Sequence, residues 1–219
     1  MPFNSIEKRR HSPGQPWTYA LLDQRQREIA RDILENDAPG KLLLSEVAPV
    51  ITLGRRTPET DLTLPKQTLQ DLGVETHRTD RGGLATYHGP GQWVLFAVDR
   101  LDRLTGDSRG VRHAVEGLLE IARVVGESMG VGPCETRSGA ETGVWTREGK
   151  FAAVGVHIEN RILLHGLAVN GFRTPLSFTG LRPCGLDAPV SFLLDHEKGF
   201  EELGDALSQA AIKRFWHRS

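Results

Sequence analysis

Arg78–Leu101 reads RTDRGGLATYHGPGQWVLFAVDRL, and the way this stretch parses decides the fold. A polar, glycine-loaded turn comes first: Arg81, Gly82, Gly83, then Thr86 to Gln92. An apolar run from Trp93 to Val98 follows and reads as a buried strand. Glycines let backbone N–H groups approach a ligand that a Cβ would hold off, and Arg81, Tyr87 and His88 add donors within a few residues. A glycine turn serving chain geometry alone is the plain alternative. The polar and glycine positions that frame Tyr87 and His88 favour a binding role.

Upstream, Val74–Thr79 reads as the strand leading in, after a short helix over Leu64–Gly73 that Gly73 closes. Gly54, Arg55 and Arg56 form a second basic turn. Lys41–Leu53 is rich in Leu, Val and Ile, and makes two strands or one strand bent at Pro49. Tyr19–Glu35 carries Leu21, Leu22, Ile29, Ile33 and Leu34 among charges, a helical period with one wet face. Residues 1–16 read as a flexible lead. Downstream, Arg100–Arg112 holds four arginines (100, 103, 109 and 112) and reads as a solvated connector, with docking of an acidic partner as the alternative. Val111–Met129 is a second amphipathic helix and Phe200–Trp216 a third. Between them, TGVWT, KFAAVGVHI and RILLHGLAV are β-prone, joined by turns at Glu148–Gly149 and Glu159–Arg161 that suit hairpins. Strands and helices do not alternate as a Rossmann sheet requires. The expectation is a single α+β (α/β) domain with a mixed, largely antiparallel sheet flanked by helices.

Composition narrows the function classes. With 219 residues and 38% hydrophobic content the chain supports a proper core. Lys plus Arg number 27 against 28 Asp plus Glu, a net charge of -1, which argues against a nucleic-acid binder relying on overall basicity. No apolar run approaches about 18 residues, so no membrane span and no secretion signal is expected. Two cysteines are too few for a disulfide framework and lack zinc-site spacing, so a reducing cytoplasm is the expected setting and no metal is expected.

Cys184, in RPCGL, and Cys134, in GPCET, are both framed by residues that place them on loops. Composition does not choose between them, and a lone cysteine is more often a small core residue than a nucleophile. A nucleophilic cysteine needs a partner that holds the thiolate, because its ordinary pKa is about 8.5. His88, His157 and His165 are candidates, and so is Lys150, the only lysine between Lys66 and Lys198.

Four segments together resemble the lipoyl(octanoyl) transferases: RGGLATYHGPGQ (Arg81–Gln92), GVWTREGKFAAVGV (Gly143–Val156), HGLAVN (His165–Asn170) and PCG (Pro183–Gly185). LLLSEVAPVITLGR and DQRQREIA fit more loosely, so the resemblance spans roughly residues 17–195. It implies a lipoate/biotin protein ligase-like fold, one catalytic domain over 1–219, and no cofactor. Cys184 would take octanoyl from the phosphopantetheine thioester of acyl carrier protein. It would then pass it to a lysine in the lipoyl domains of 2-oxoacid dehydrogenases and in the glycine cleavage H protein. Lys150, 34 positions earlier (184 minus 150), would be its catalytic partner. The acyl pocket would be walled by Arg81, Gly82, Gly83, Leu84, Ala85, Thr86, Tyr87 and His88 on one side. Ala153, Val154, Gly155, Gly166, Leu167 and Ala168 would form the other. Cys134 has no place in the pattern and is expected to be structural. Two departures, at Gly171–Thr174 and at Ser191–Phe192, bear on substrate preference more than on the reaction.

Chemically, an ammonium about 4 Å from a thiolate gains about 4 kcal/mol at an effective dielectric of about 20, before desolvation. Acylation removes that counter-charge and leaves Lys150 able to act as a base for the incoming amine. The alternatives are an amidotransferase moving octanoyl or lipoyl between protein lysines, an ATP-dependent lipoate ligase, a cysteine hydrolase, and a lipoyl-domain binder without turnover.

Overall fold

The computed structural model describes residues 3–181 and 189–216. Its frame is a seven-stranded sheet in the order β1-β2-β6-β10-β9-β8-β7. The strands are β1 (Phe3–Arg10), β2 (Gly40–Glu46), β6 (Gln92–Arg100), β7 (Glu135–Arg137), β8 (Gly143–Trp145), β9 (Lys150–Glu159) and β10 (Ile162–Asn170). Among the described residues of this sheet, β1 and β2 form the one parallel pair of neighbouring strands. A smaller sheet, β4-β3-β5, combines β3 (Val50–Leu53), β4 (Glu75–Arg78) and β5 (Thr86–His88). The expected mixed, largely antiparallel sheet with flanking helices is the architecture observed.

β6 sits inside the large sheet, between β2 and β10, with both faces covered. This is why it reads as an unbroken apolar run rather than an alternation. Trp93, Leu95 and Ala97 face a layer made by α4 (Val111–Ser128) and α5 (Phe200–Trp216). Val94, Phe96 and Val98 face α1 (Tyr19–Asn36) on the other side. The buried stripe of α1 is Tyr19, Leu22, Gln26, Ile29 and Ile33; Leu21 and Leu34, expected on that face, are 42% and 53% exposed. Among the described residues there are also two short α-helices, α2 (Lys66–Asp71) and α3 (Leu101–Thr105).

Two expectations are corrected. The lead is not all flexible, because Phe3–Arg10 forms an edge strand registered on β2. Lys8 pairs with Glu201 and Asp205, while Arg10 pairs with Glu46, Glu197 and Glu201. The Arg100–Arg112 connector contains α3, and Arg100 and Arg103 are neutralised by Asp37, Asp99 and Asp102. Lys41–Leu53 resolves as two strands in different sheets, parted at the Val47–Pro49 break.

Candidate active site

The glycine turn, β9 and β10 enclose a cavity of about 450 Å³. Its walls include Arg81, Gly82, Gly83, Leu84, Ala85, Thr86 and His88 from the turn, Lys150 and Ala153 to Val156 from β9, and His165 to Ala168 from β10. β9 and β10 pair antiparallel with Ala153 opposite Ala168, Val154 opposite Leu167 and Gly155 opposite Gly166. Small residues in register leave a slot between the two strands and the turn. Gly155 suits that closeness, since a Cβ there would crowd Arg81 Cδ at 3.1 Å and Gly82 O at 3.2 Å.

Tyr87 alone among the sequence-predicted walls does not line the cavity. Strand alternation turns it into the core behind the small sheet, against Phe178 at 5.4 Å between ring centroids, and burial pushes its phenol up to about 12. Arg81 also differs from expectation. Its guanidinium donates to Gly82 O, Leu84 O, Thr52 O and Thr52 Oγ1, so it builds the turn from within.

A buried polar relay ties the motifs together. His88 Nδ1 donates to Gln92 Oε1 at 2.7 Å, Gln92 Nε2 to Asn170 Oδ1 at 2.9 Å, and Asn170 Nδ2 to Ser191 O at 3.1 Å. Ser191 N in turn donates to Lys150 O at 3.0 Å. The glycine turn, the end of β10 and the start of β9 are thereby held in one frame. Burial pushes the His88 imidazole down to about 3, so it is neutral at working pH.

Beside the cavity, His165 sits in β10 at φ +59, a left-handed conformation that costs a residue with a Cβ about 1–3 kcal/mol. Its backbone N–H donates to Gln26 Oε1 at 2.7 Å, and Nε2 lies 2.6 Å from Asp80 Oδ1. The hydrogen bond from His165, followed by the one from Arg27, holds the Asp80 carboxyl far below the usual carboxylate range. A carboxylate needs a donor, so Nε2 carries the proton and Nδ1 accepts from the Tyr19 hydroxyl at 3.0 Å. Burial pushes the His165 imidazole down despite Asp80. His165 is thus committed to Asp80 and Tyr19 rather than to a cysteine. Tyr19 stacks between the two imidazoles, 5.3 Å from His88 and 6.5 Å from His165.

Lys150 lines the cavity with Gly139, Ala140 and Thr142, its Nζ 5.7 Å from the Trp145 ring centroid. Its stem runs over Gly143, where a Cβ would lie 2.3 Å from Lys150 Cε. Cys184 lies outside the described residues. The chain on either side of it is fixed: Thr63 N donates to Gly180 O, Leu181 bridges Leu62, and Lys150 N donates to Pro189 O at 2.9 Å. Cys134 is half-buried against the core beneath α4, and burial raises its thiol, as suits a structural cysteine. Ligand atoms of Asp80, His157 and Glu159 lie within 4.8 Å of one another, but Arg27 already pairs with Asp80 and Glu159 there. This cluster is an ion-pair patch. No helix among the described residues is long and apolar enough to cross a membrane.

Tyr19, Val94, Phe96 and Val156 also line the cavity and were not singled out in the sequence. For Tyr19 a signal exists: Gln26, a polar residue on the buried stripe of α1, marks a helix face that serves more than packing.

The sequence pattern of the lipoyl protein ligase A/B catalytic domain matches residues 19–209. The chain belongs to this family. An octanoyltransferase of Alkaliphilus metalliredigens is 35% identical over 167 residues, covering 76% of this chain and 71% of that protein. An octanoyltransferase of Magnetococcus marinus is 35% identical over 199 residues, covering 90% of this chain and 85% of its own. In three dimensions the chain is similar to a lipoate-protein ligase A solved with ATP bound, at a TM-score of 0.70 and 12% identity, over 98% of this chain and 85% of that one. At that identity the likeness concerns the fold, which this lipoyl protein ligase A/B family member shares.

Proposed function

We propose that this chain is an octanoyltransferase of lipoate biosynthesis, a single catalytic domain over 1–219 acting in the cytoplasm on a thioester donor and a protein lysine acceptor. The observation that carries this is the apolar slot between β9, β10 and the glycine turn, with Lys150 on its wall. Burying about six methylenes of an octanoyl chain there is worth roughly 5 kcal/mol.

The donor in this proposal is octanoyl-acyl carrier protein. The Cys184 thiolate, paired with the Lys150 ammonium, attacks the thioester carbonyl carbon. A new C–S bond forms to Cys184, the carrier's C–S bond breaks, and the departing thiolate takes the Lys150 proton. Lys150 is then a neutral amine, ready to accept the proton that an acceptor lysine releases as it attacks the acyl-enzyme. The C–N bond forms, Cys184 leaves as thiolate, and the starting ion pair is restored without ATP. The acceptors are lipoyl domains of 2-oxoacid dehydrogenases and the glycine cleavage H protein. The Gly143 contact supports this assignment, because bare backbone there is what lets the Lys150 stem lie along the wall.

Mixing the protein with octanoyl carrier protein in the absence of ATP tests the reading. An octanoyl adduct by intact mass, absent in Cys184→Ala, is expected. Adduct or product that requires ATP would instead support a ligase. Lys150→Arg should still form acyl-enzyme, because arginine keeps the cation beside Cys184 and the departing thiolate can take its proton from water, yet fail in the second step, since arginine gives no neutral base; full second-step rates from isolated acyl-enzyme would sink the two-role scheme.

A further inference from the structure

A second cavity, of about 470 Å³, lies beside the acyl slot, and the reaction as described makes no use of it. Leu53, Leu62 and Leu64 give it an apolar wall, Thr57 a hydroxyl, and Lys66 and Arg78 two cations. Thr57 Oγ1 is buried without a hydrogen-bond partner among the described residues, and a buried hydroxyl is stabilised when it gains one. Lys66 and Arg78 are exposed on this wall and make no ion pair among the described residues. An orphaned hydroxyl, an apolar wall and two unmatched cations call for a ligand with amides, branched carbon and an anionic end.

The position is as telling as the lining. The Gly54–Pro58 turn separates the two cavities, with Arg56 facing the acyl slot and Thr57 the second cavity. Leu62, on the second cavity's wall, bridges Leu181, three residues before Cys184. We propose that this cavity receives the phosphopantetheine arm of the thioester donor. The gem-dimethyl carbon lies on the leucines, an arm amide meets Thr57 Oγ1, and the phosphate meets Lys66 and Arg78. This rests on the octanoyltransferase reading and names the donor chemistry it uses. The arm occurs both on carrier proteins and in coenzyme A.

The test is the rate of Cys184 acylation, followed by intact mass against donor concentration, for wild type and for Lys66→Ala/Arg78→Ala. Donors are octanoyl-carrier protein, octanoyl-coenzyme A, octanoyl-phosphopantetheine and octanoyl-pantetheine, which lacks the phosphate. The double variant should raise the half-saturating concentration about ten-fold or more for the three phosphate-bearing donors, as loss of charge-assisted contacts predicts. It should leave octanoyl-pantetheine within two-fold. Thr57→Val should weaken octanoyl-pantetheine several-fold while sparing octanoyl-N-acetylcysteamine, which is too short to span the cavity. A double variant that impairs only the carrier-protein donor would overturn the proposal, because the cations would then be meeting the carrier's protein surface. Equal effects on all donors, or none, would overturn it too. If the pattern holds, whichever of coenzyme A and carrier protein saturates lower in wild type is the arm's source. Wild type that is acylated by no thioester at all would refute the octanoyltransferase reading itself, a distinct result.

Discussion

Ala153 and Ala168 face each other across β9 and β10 on the wall of the acyl slot, and their methyl groups set its width. Ala153→Leu projects three more carbons into the space an acyl chain would occupy. At about 0.8 kcal/mol per methylene, displacing three methylenes costs about 2.4 kcal/mol, or roughly 50-fold in kcat/KM for octanoyl donors. A pentanoyl donor should keep its wild-type rate, and acylation rates across chain lengths check this; a uniform loss at every length would mean the slot is not where the chain lies. The same scale explains His165. Its left-handed backbone is retained because Gln26 takes the N–H and Asp80 and Tyr19 take the ring. Gln26→Leu leaves that buried N–H unpaired, and thermal melting should report a loss of about 1–3 kcal/mol, at roughly 2–4 °C per kcal/mol for a chain of this size.

At the scale of elements, β1 ties the N-terminus to both the large sheet and α5. Arg10 is the key contact, because Glu46 is 2% exposed and divides its carboxylate between Arg10 Nε at 2.7 Å and the Gly91 amide at 2.9 Å. Arg10→Ala leaves a buried carboxylate with one partner fewer, costing up to about 3 kcal/mol. Deleting residues 1–10 should go further and open the β2 edge, so that size-exclusion chromatography shows association as well as a lowered Tm. β1 escaped sequence reading because FNSIEKRR carries one aliphatic residue, Ile6, among charges, and the carboxylates of Glu197, Glu201 and Asp205 that pair with Lys8 and Arg10 lie nearly 200 positions away. Local patterning was sufficient where an element buries a full face: β6, α4 and α5 were legible, and so was the β9–β10 hairpin. Among the site residues, the glycine turn and the two strands could be read from motif and alternation. The hidden part was direction. Whether Arg81 points at a ligand or into its own loop, and whether His165 serves a cysteine or Asp80, depends on which distant residue fills the neighbouring space. Tyr19, which stands sixty-nine positions before His88 (88 minus 19), illustrates how far that neighbour can be.

Acid stability belongs to the whole molecule, since the groups that govern it lie in separate layers. His88, held down to about 3, and His165, also held below its ordinary value, are neutral in the native state. On unfolding both recover a pKa of about 6.5 and take up protons, so their contribution is full above that pH and is lost as pH falls. Asp99 works in the opposite direction. Burial raises its carboxyl to about 6 against the opposing pull of Arg103, so the native state holds a proton that the unfolded chain releases above about 4. Between pH 6 and 4 the unfolded chain therefore binds as many as two more protons on the histidines and one fewer on Asp99. His88 and Asp99 nearly offset each other, and the lowered His165 tips the balance, so stability falls with pH over this range. Below about 4.5 the slope steepens, as Glu7, held at about 2 by Arg25 and Lys41, and Asp80, held lower still, lose their advantage. Denaturant unfolding across pH should thus show a plateau above 7, a decline beginning near 6.5 and a steeper limb below 4.5. Asp99→Asn removes the opposing proton, so its decline between pH 6 and 4 should be steeper than that of the wild type, while His88→Gln should flatten it. A wild-type plateau reaching down to pH 4.5 would show that the carboxylates alone set acid stability and that the buried imidazoles beside the acyl slot titrate as they do in the unfolded chain.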